Sequence, residues 1–170
     1  MYLDASSILS NAQAITVTAV STGAYDTAGV GVGQAVTNRF GTVTTFGEDI
    51  GGGGPLVSGP QLVVTIPTNF TAAGAATLRV QLEAAIDNGS NQPGAWDIIA
   101  QTDDIPVASL VSSAARPLVS FTVPDRYPGQ GFPRFYRLNY LVSTGPMTAG
   151  AVNAALLTGI DDVPFYSANY

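Results

Sequence analysis

The chain contains no cysteine, no histidine and no lysine; its six basic residues are all arginine. Without cysteine there are no disulfides and no thiolate metal sites. Without histidine there is no Ser-His-Asp triad, no Cys-His pair and no common zinc site. Without lysine, a Walker phosphate loop and a Schiff-base nucleophile are excluded. Charge itself is scarce, at 11% of the 170 residues, against about 25% in an average soluble domain. The net charge of -6 repels nucleic acid and anionic membrane surfaces, so neither is expected as a partner. No apolar run approaches the roughly 20 residues of a membrane-spanning helix. The opening MYLDASSILSNAQAIT also lacks the basic start of an export signal: its first charge is Asp4, and the first basic residue is Arg39.

What is present is β-sheet pattern. Short β-branched runs separated by Gly, Pro, Asn and Asp dominate, and helical periodicity is scarce. The clearest run is Thr77–Ile86, with Leu78, Val80, Leu82, Ala84 and Ile86 on one face and Thr77, Arg79, Gln81 and Glu83 on the other, the alternation of a half-buried antiparallel strand. Asp87-Asn88-Gly89-Ser90 then supplies a turn. Further strands are expected at Ile15–Val20, Leu62–Pro67 (closed by Pro67), Trp96–Thr102, Ile105–Val111, Leu118–Val123, Phe135–Val142 and Ala151–Thr158. The expected core includes Val119, Phe121 and Val123 beside the apolar face of Thr77–Ile86. About eight short strands in one domain over 1–170 predict an all-β sandwich of the jelly-roll type. Residues 21–60 hold 11 of the 19 glycines and few large apolar side chains, so they read as a long Gly-rich surface excursion.

Candidate chemical motifs dissolve on inspection. Asp103-Asp104 and Asp161-Asp162 are adjacent pairs, whose side chains diverge on a strand, and both precede Ile-Pro or Val-Pro as turn residues do. Asp87–Asn91 lacks the order and closing glutamate of a calcium loop. Gly29–Gly33 has the wrong spacing for a dinucleotide fingerprint. Asn69-Phe70-Thr71 and Asn88-Gly89-Ser90 match the glycosylation sequon, silent in a chain that is not exported. Arg116, Arg126, Arg134 and Arg137 are interleaved with Phe121, Tyr127, Phe132, Phe135, Tyr136 and Tyr140. In an acidic chain this mixture points first to internal or interface salt bridges, then to a partner's acidic patch. No enzyme constellation survives, so neither catalysis nor a cofactor or metal is expected. A glycan-binding β-sandwich is the alternative, with Trp96-Asp97 and Tyr166–Tyr170 as its aromatic candidates.

MYLDASSILSNAQAIT resembles the opening of the Bbp16 family of tailed-phage capsid cement proteins. So do, in order, Ser21–Asp26 (STGAYD), Asp49–Leu56 (DIGGGGPL), Phe70–Leu78 (FTAAGAATL), Ile105–Ala108 (IPVA), Tyr136–Tyr140 (YRLNY) and Ser143–Gly150 (STGPMTAG). Residues from about 27 to 47 read as an insertion, and the tail after Asp162, VPFYSANY, lies outside the family pattern. The resemblance implies a jelly-roll cement protein made in the host cytoplasm and carried on the outer capsid surface of the virion. Its implied partner is a major capsid protein of the HK97-type fold. A cement must span a local symmetry axis, so a homodimer is expected, with a trimer as the alternative. Residues 1–14 are a possible N-terminal arm, with Tyr2, Leu3, Ile8 and Leu9 as anchors; an edge strand of the domain is the competing reading. Arg134 and Arg137 complete the candidate interface.

Overall fold

The structure is a computed structural model, and it describes residues 7–27, 35–37, 43–45, 60–112, 117–123 and 133–157. Two antiparallel sheets face each other. The first contains β1 (Ile8–Ala14), β12 (Met147–Leu157), β6 (Gln61–Ala72) and β10 (Val119–Thr122), in that order. The second runs β2 (Ala19–Val20), β11 (Phe135–Ser143), β7 (Thr77–Asp87) and β8 (Pro93–Gln101). β3 (Tyr25–Asp26) continues the line of β2 along β11, and β9 (Ile105–Pro106) pairs with the start of β7.

With β3 counted with β2 and β9 with β8, eight strands remain in these sheets, and their pairing is concentric. The first pairs with the last (β1–β12), the second with the seventh (β2–β11), the third with the sixth (β6–β10) and the fourth with the fifth (β7–β8). β12–β6 and β11–β7 close the sheets. One long hairpin rolled into two layers gives this order, which is the jelly roll that strand counting predicts.

Each layer sends its inward row into one core. β6 contributes Leu62, Val64, Ile66 and Phe70; β7 contributes Leu78, Val80, Leu82 and Ala84; β11 contributes Tyr136, Leu138 and Tyr140; β12 contributes Val152, Ala154 and Leu156. Val119 and Val123 join them, while Phe121 is only partly buried against the cluster and Ile86 is half-exposed at the strand's end.

Three expected elements are corrected. Ile15–Val20 is not one strand: Ile15 to Thr18 is the corner where the chain leaves the first sheet for the second. It is held by Ile15 N–H to the Gly150 carbonyl (3.1 Å) and Met147 N–H to the Thr16 carbonyl (2.9 Å). Pro67 does not close its strand, because β6 continues to Ala72. Pro67 lies beyond the last β10 pairing and between Thr65 and Thr68, where the β12 register shifts, so its missing N–H costs no ladder bond. Ile105–Val111 is a two-residue strand followed by a 3-10 turn at Val107–Ser109, which buries Leu110 completely. Within the Gly-rich excursion, β4 (Ala35–Thr37) and β5 (Val43–Thr45) pair antiparallel.

Candidate interaction surfaces

Leu9 is 0% exposed and belongs to the core. Ser10, next to it, turns inward as well and shares a 2.8 Å hydrogen bond with the Tyr140 hydroxyl. A register shift between Ile8 and Ser10 lets consecutive residues face the core. Residues 8–14 are therefore the edge strand of the domain, and Leu9 is not an anchor for a partner. Ile8, opposite Ala155, is half-buried on the outer side of the sheet. Tyr2 and Leu3 lie outside the described residues, as do Arg116, Arg126, Asp161-Asp162, Gly29–Gly33 and Tyr166–Tyr170.

Arg134 lies at the rim of the second sheet and ties three segments together. Its Nε and Nη2 donate to the two carboxylate oxygens of Asp26, at 2.7 and 3.0 Å. Its Nη1 donates to Asp87 and to Asn91 Oδ1 (2.8 Å). The two-pronged match to Asp26 is the geometry that makes arginine specific for carboxylates. The hydrogen bond to Asp26 above all raises the Arg134 pKa. Burial pushes the Asp87 carboxyl up, but the Gly89 N–H, the Arg134 guanidinium and the Asn91 N–H together outweigh it and hold Asp87 below its ordinary value. The same turn places Gly89 at φ 88° and Asn91 at φ 57°, backbone that Gly and Asn tolerate.

Arg137 points outward from the centre of the same sheet. Its Nε donates to Glu83 Oε2 at 2.6 Å, and its guanidinium lies 4.2 Å from the centre of the Trp96 ring. Asn139 Nδ2 bridges Gln81 and Glu83, and Gln81 Nε2 reaches Gln101 Oε1. Gln81 and Glu83 are thereby 6% and 7% exposed although they sit on an outer face. The expected half-buried character of Thr77–Ile86 is corrected accordingly: neighbouring side chains roof the polar side of this strand too. The period-2 polar positions of β7 and β11 were the available signal for this row; the pairing of Gln81 with Asn139 was not readable from either run alone.

Asp103-Asp104 is a connecting turn between β8 and β9, and Asp104 forms a two-pronged pair with Arg79 at 3.0 Å. Among the described residues no group of three acidic side chains converges as a metal site would require. Trp96 carries Arg137 on one ring face, so that face is not an open platform for a sugar. On the outer side of the first sheet, a groove of about 240 Å3 is lined by Ile8, Asn11, Val63, Thr65, Asn153 and Leu157 among others.

The described strands thus form an all-β sandwich of the jelly-roll type, with paired arginines on its second sheet. A sequence model of the Bbp16 family matches residues 9–156, and the chain belongs to that family. No curated protein matches it.

Proposed function

We propose that this protein is a capsid cement protein. It binds the outside of a tailed-phage head and bridges neighbouring major capsid subunits, stabilising the shell. The observation that carries the reading is the match to the Bbp16 family over residues 9–156, a family resembled in order by seven sequence blocks and associated by that resemblance with capsid cement. The geometry supports it: Arg79, Arg134 and Arg137 are paired with carboxylates of the same chain, and a chain with only 11% charged residues suits close packing against protein with little charge to desolvate. In this reading the protein is not an enzyme, assembles as a homodimer (or a trimer on a threefold axis), and uses Tyr2 and Leu3 ahead of the edge strand as shell anchors.

The test is the composition of purified virions together with add-back of the protein to shells lacking it. A copy number equal or simply related to that of the major capsid protein, with saturable add-back, is the expected result. Absence from virions, or no binding to shells, overturns the reading.

A further inference from the structure

The two sheets divide the charge of the molecule unequally. None of the residues in β1, β6, β10 and β12 is Asp, Glu, Lys or Arg. The second sheet, by contrast, carries Asp26, Arg79, Glu83, Asp87, Asp97 and Arg137. The inner rows of both sheets are apolar, so the difference lies in the outer faces. A sheet face turned to water is ordinarily polar and charged, and the chain has charged residues to place there, at 11% of its length. The exterior of the first sheet shows Val63, Thr65, Ser120, Thr122, Asn153 and Leu157 instead. Its outward positions Ala155 and Leu157 are buried within the chain itself, so the part of this face open to a partner is the half-buried Val63, Thr65 and Asn153 and the exposed Ser120 and Thr122.

We propose that the outer face of the first sheet is the surface that docks on the capsid shell, with the second sheet turned to solvent. This rests on the cement reading above and assigns its contact face. The occupant follows from chemistry. Nucleic acid and anionic lipid require cations, and among the described residues the strands of this face carry none. A glycan site uses aromatic platforms; the aromatic side chains of these strands, Phe70 and Phe121, belong to the core and its margin. A face of small aliphatic, hydroxyl and amide groups around a shallow groove matches an uncharged protein surface, as interface centres are depleted of charge. The opposite face is poorly suited: docking it would strip water from the Arg79–Asp104 pair and from Arg137 beside Glu83, while its position toward solvent lets those charges keep particles apart.

The experiment places the same charge on each face and measures binding to cement-free shells by co-sedimentation. Thr65→Glu and Thr65→Arg on the groove, and Ser120→Glu on exposed β10, are compared with Val20→Glu on the outer face of the second sheet. Circular dichroism and thermal melting confirm folding, and Ser120→Glu replaces the groove variants if these fail to fold. Both signs of charge at position 65, and Ser120→Glu, are expected to weaken binding by about ten-fold or more, with Val20→Glu within about two-fold of wild type. Loss in Val20→Glu with retention in the first-sheet variants overturns the face assignment and leaves the cement reading standing. Failure of the wild-type protein to bind shells overturns both. A first-sheet variant that changes the oligomeric mass in light scattering but binds shells normally shows a self-association face and also overturns the assignment.

Discussion

Gly150 lies in β12 at φ 141°, and a β-carbon there would land inside the Phe70 ring of the neighbouring strand. Strand glycines that let an aromatic ring lie flat over the backbone are a recognised device of curved sheets. Gly150→Ala therefore combines backbone strain with overpacking and is expected to lower unfolding stability by roughly 2–4 kcal/mol, read as a drop in urea midpoint at constant m. Leu82→Ala, at a fully buried side chain, is expected to cost roughly 2–5 kcal/mol by the same measurement. The second was legible in the sequence, because alternation along Thr77–Ile86 marks its inward face. The first was not: Thr148-Ala149-Gly150-Ala151 shows a corner rich in small residues, but the ring above Gly150 comes from 80 residues away in β6. Tyr140 is a further case of this kind. Burial raises its pKa, with the Ser10 hydroxyl acting weakly the other way, and burial raises Tyr136 as well. A raised folded pKa means that the unfolded chain ionises first. The contribution of these two side chains is thus whole below their ordinary value of 10.0 and declines as pH climbs above it. Stability measured across that range should fall more steeply in wild type than in Tyr140→Phe; identical alkaline limbs would exclude this role.

At the scale of the element, β1 shows where sequence reading ran out. ILSNAQA has no regular alternation, since register shifts interrupt its pairing with β12, and period-2 reasoning passes over a bulged strand. The same stretch read equally well as an arm, and only its burial against β12 and Tyr140 distinguishes the two. The edge it forms is shielded: Gly23 N–H donates to the Leu9 carbonyl at 2.8 Å, and Gln13 exchanges hydrogen bonds with Val20 and Thr22. A β-carbon on Gly23 would come within 2.5 Å of the Ile8 carbonyl oxygen, so only glycine allows the segment this close. Removing residues 1–6 should leave the far-ultraviolet spectrum and melting of the domain intact. Extending the deletion through Ala14 removes Leu9 and Ser10 from the core and should abolish cooperative melting. The Arg134 cluster acts between elements, fastening β3 and the β7–β8 turn to the start of β11. Its partners Asp26 and Asp87 lie 108 and 47 residues away, which is why the arginine–aromatic run showed that salt bridges were to be expected but not with whom. Asp87 has a lowered folded pKa, so its contribution is present above its ordinary 3.8 and is lost as pH falls through the folded value. Arg134→Gln should lower stability at neutral pH and flatten the acid limb of the stability profile; a limb of unchanged slope would show that other carboxylates set it.

The whole molecule is a jelly roll whose two outer faces differ in kind, and this asymmetry has a consequence in solution. Attraction between charged surfaces decays over about 10 Å at 0.1 M salt and about 3 Å at 1 M. A contact made by ion pairs at the rim of an interface therefore weakens markedly across that range, whereas burial of aliphatic, hydroxyl and amide groups does not depend on screening. If the charge-free sheet is the docking face, shell binding should vary by less than about three-fold between 0.1 and 1 M sodium chloride. If the second sheet docked instead, Arg79, Arg137 and Asp104 would enter or border the contact, and affinity would fall steeply with salt. The acidic character of the chain sharpens the contrast. At a net charge of -6, any long-range attraction would require a basic shell surface, and screening would slow association as well as weaken it. Titration of cement-free shells at both salt concentrations, with the dissociation constant and association rate measured in each, separates the two arrangements: a charge-free contact keeps both values nearly constant, and a strong salt dependence of either would place ionised groups in the footprint.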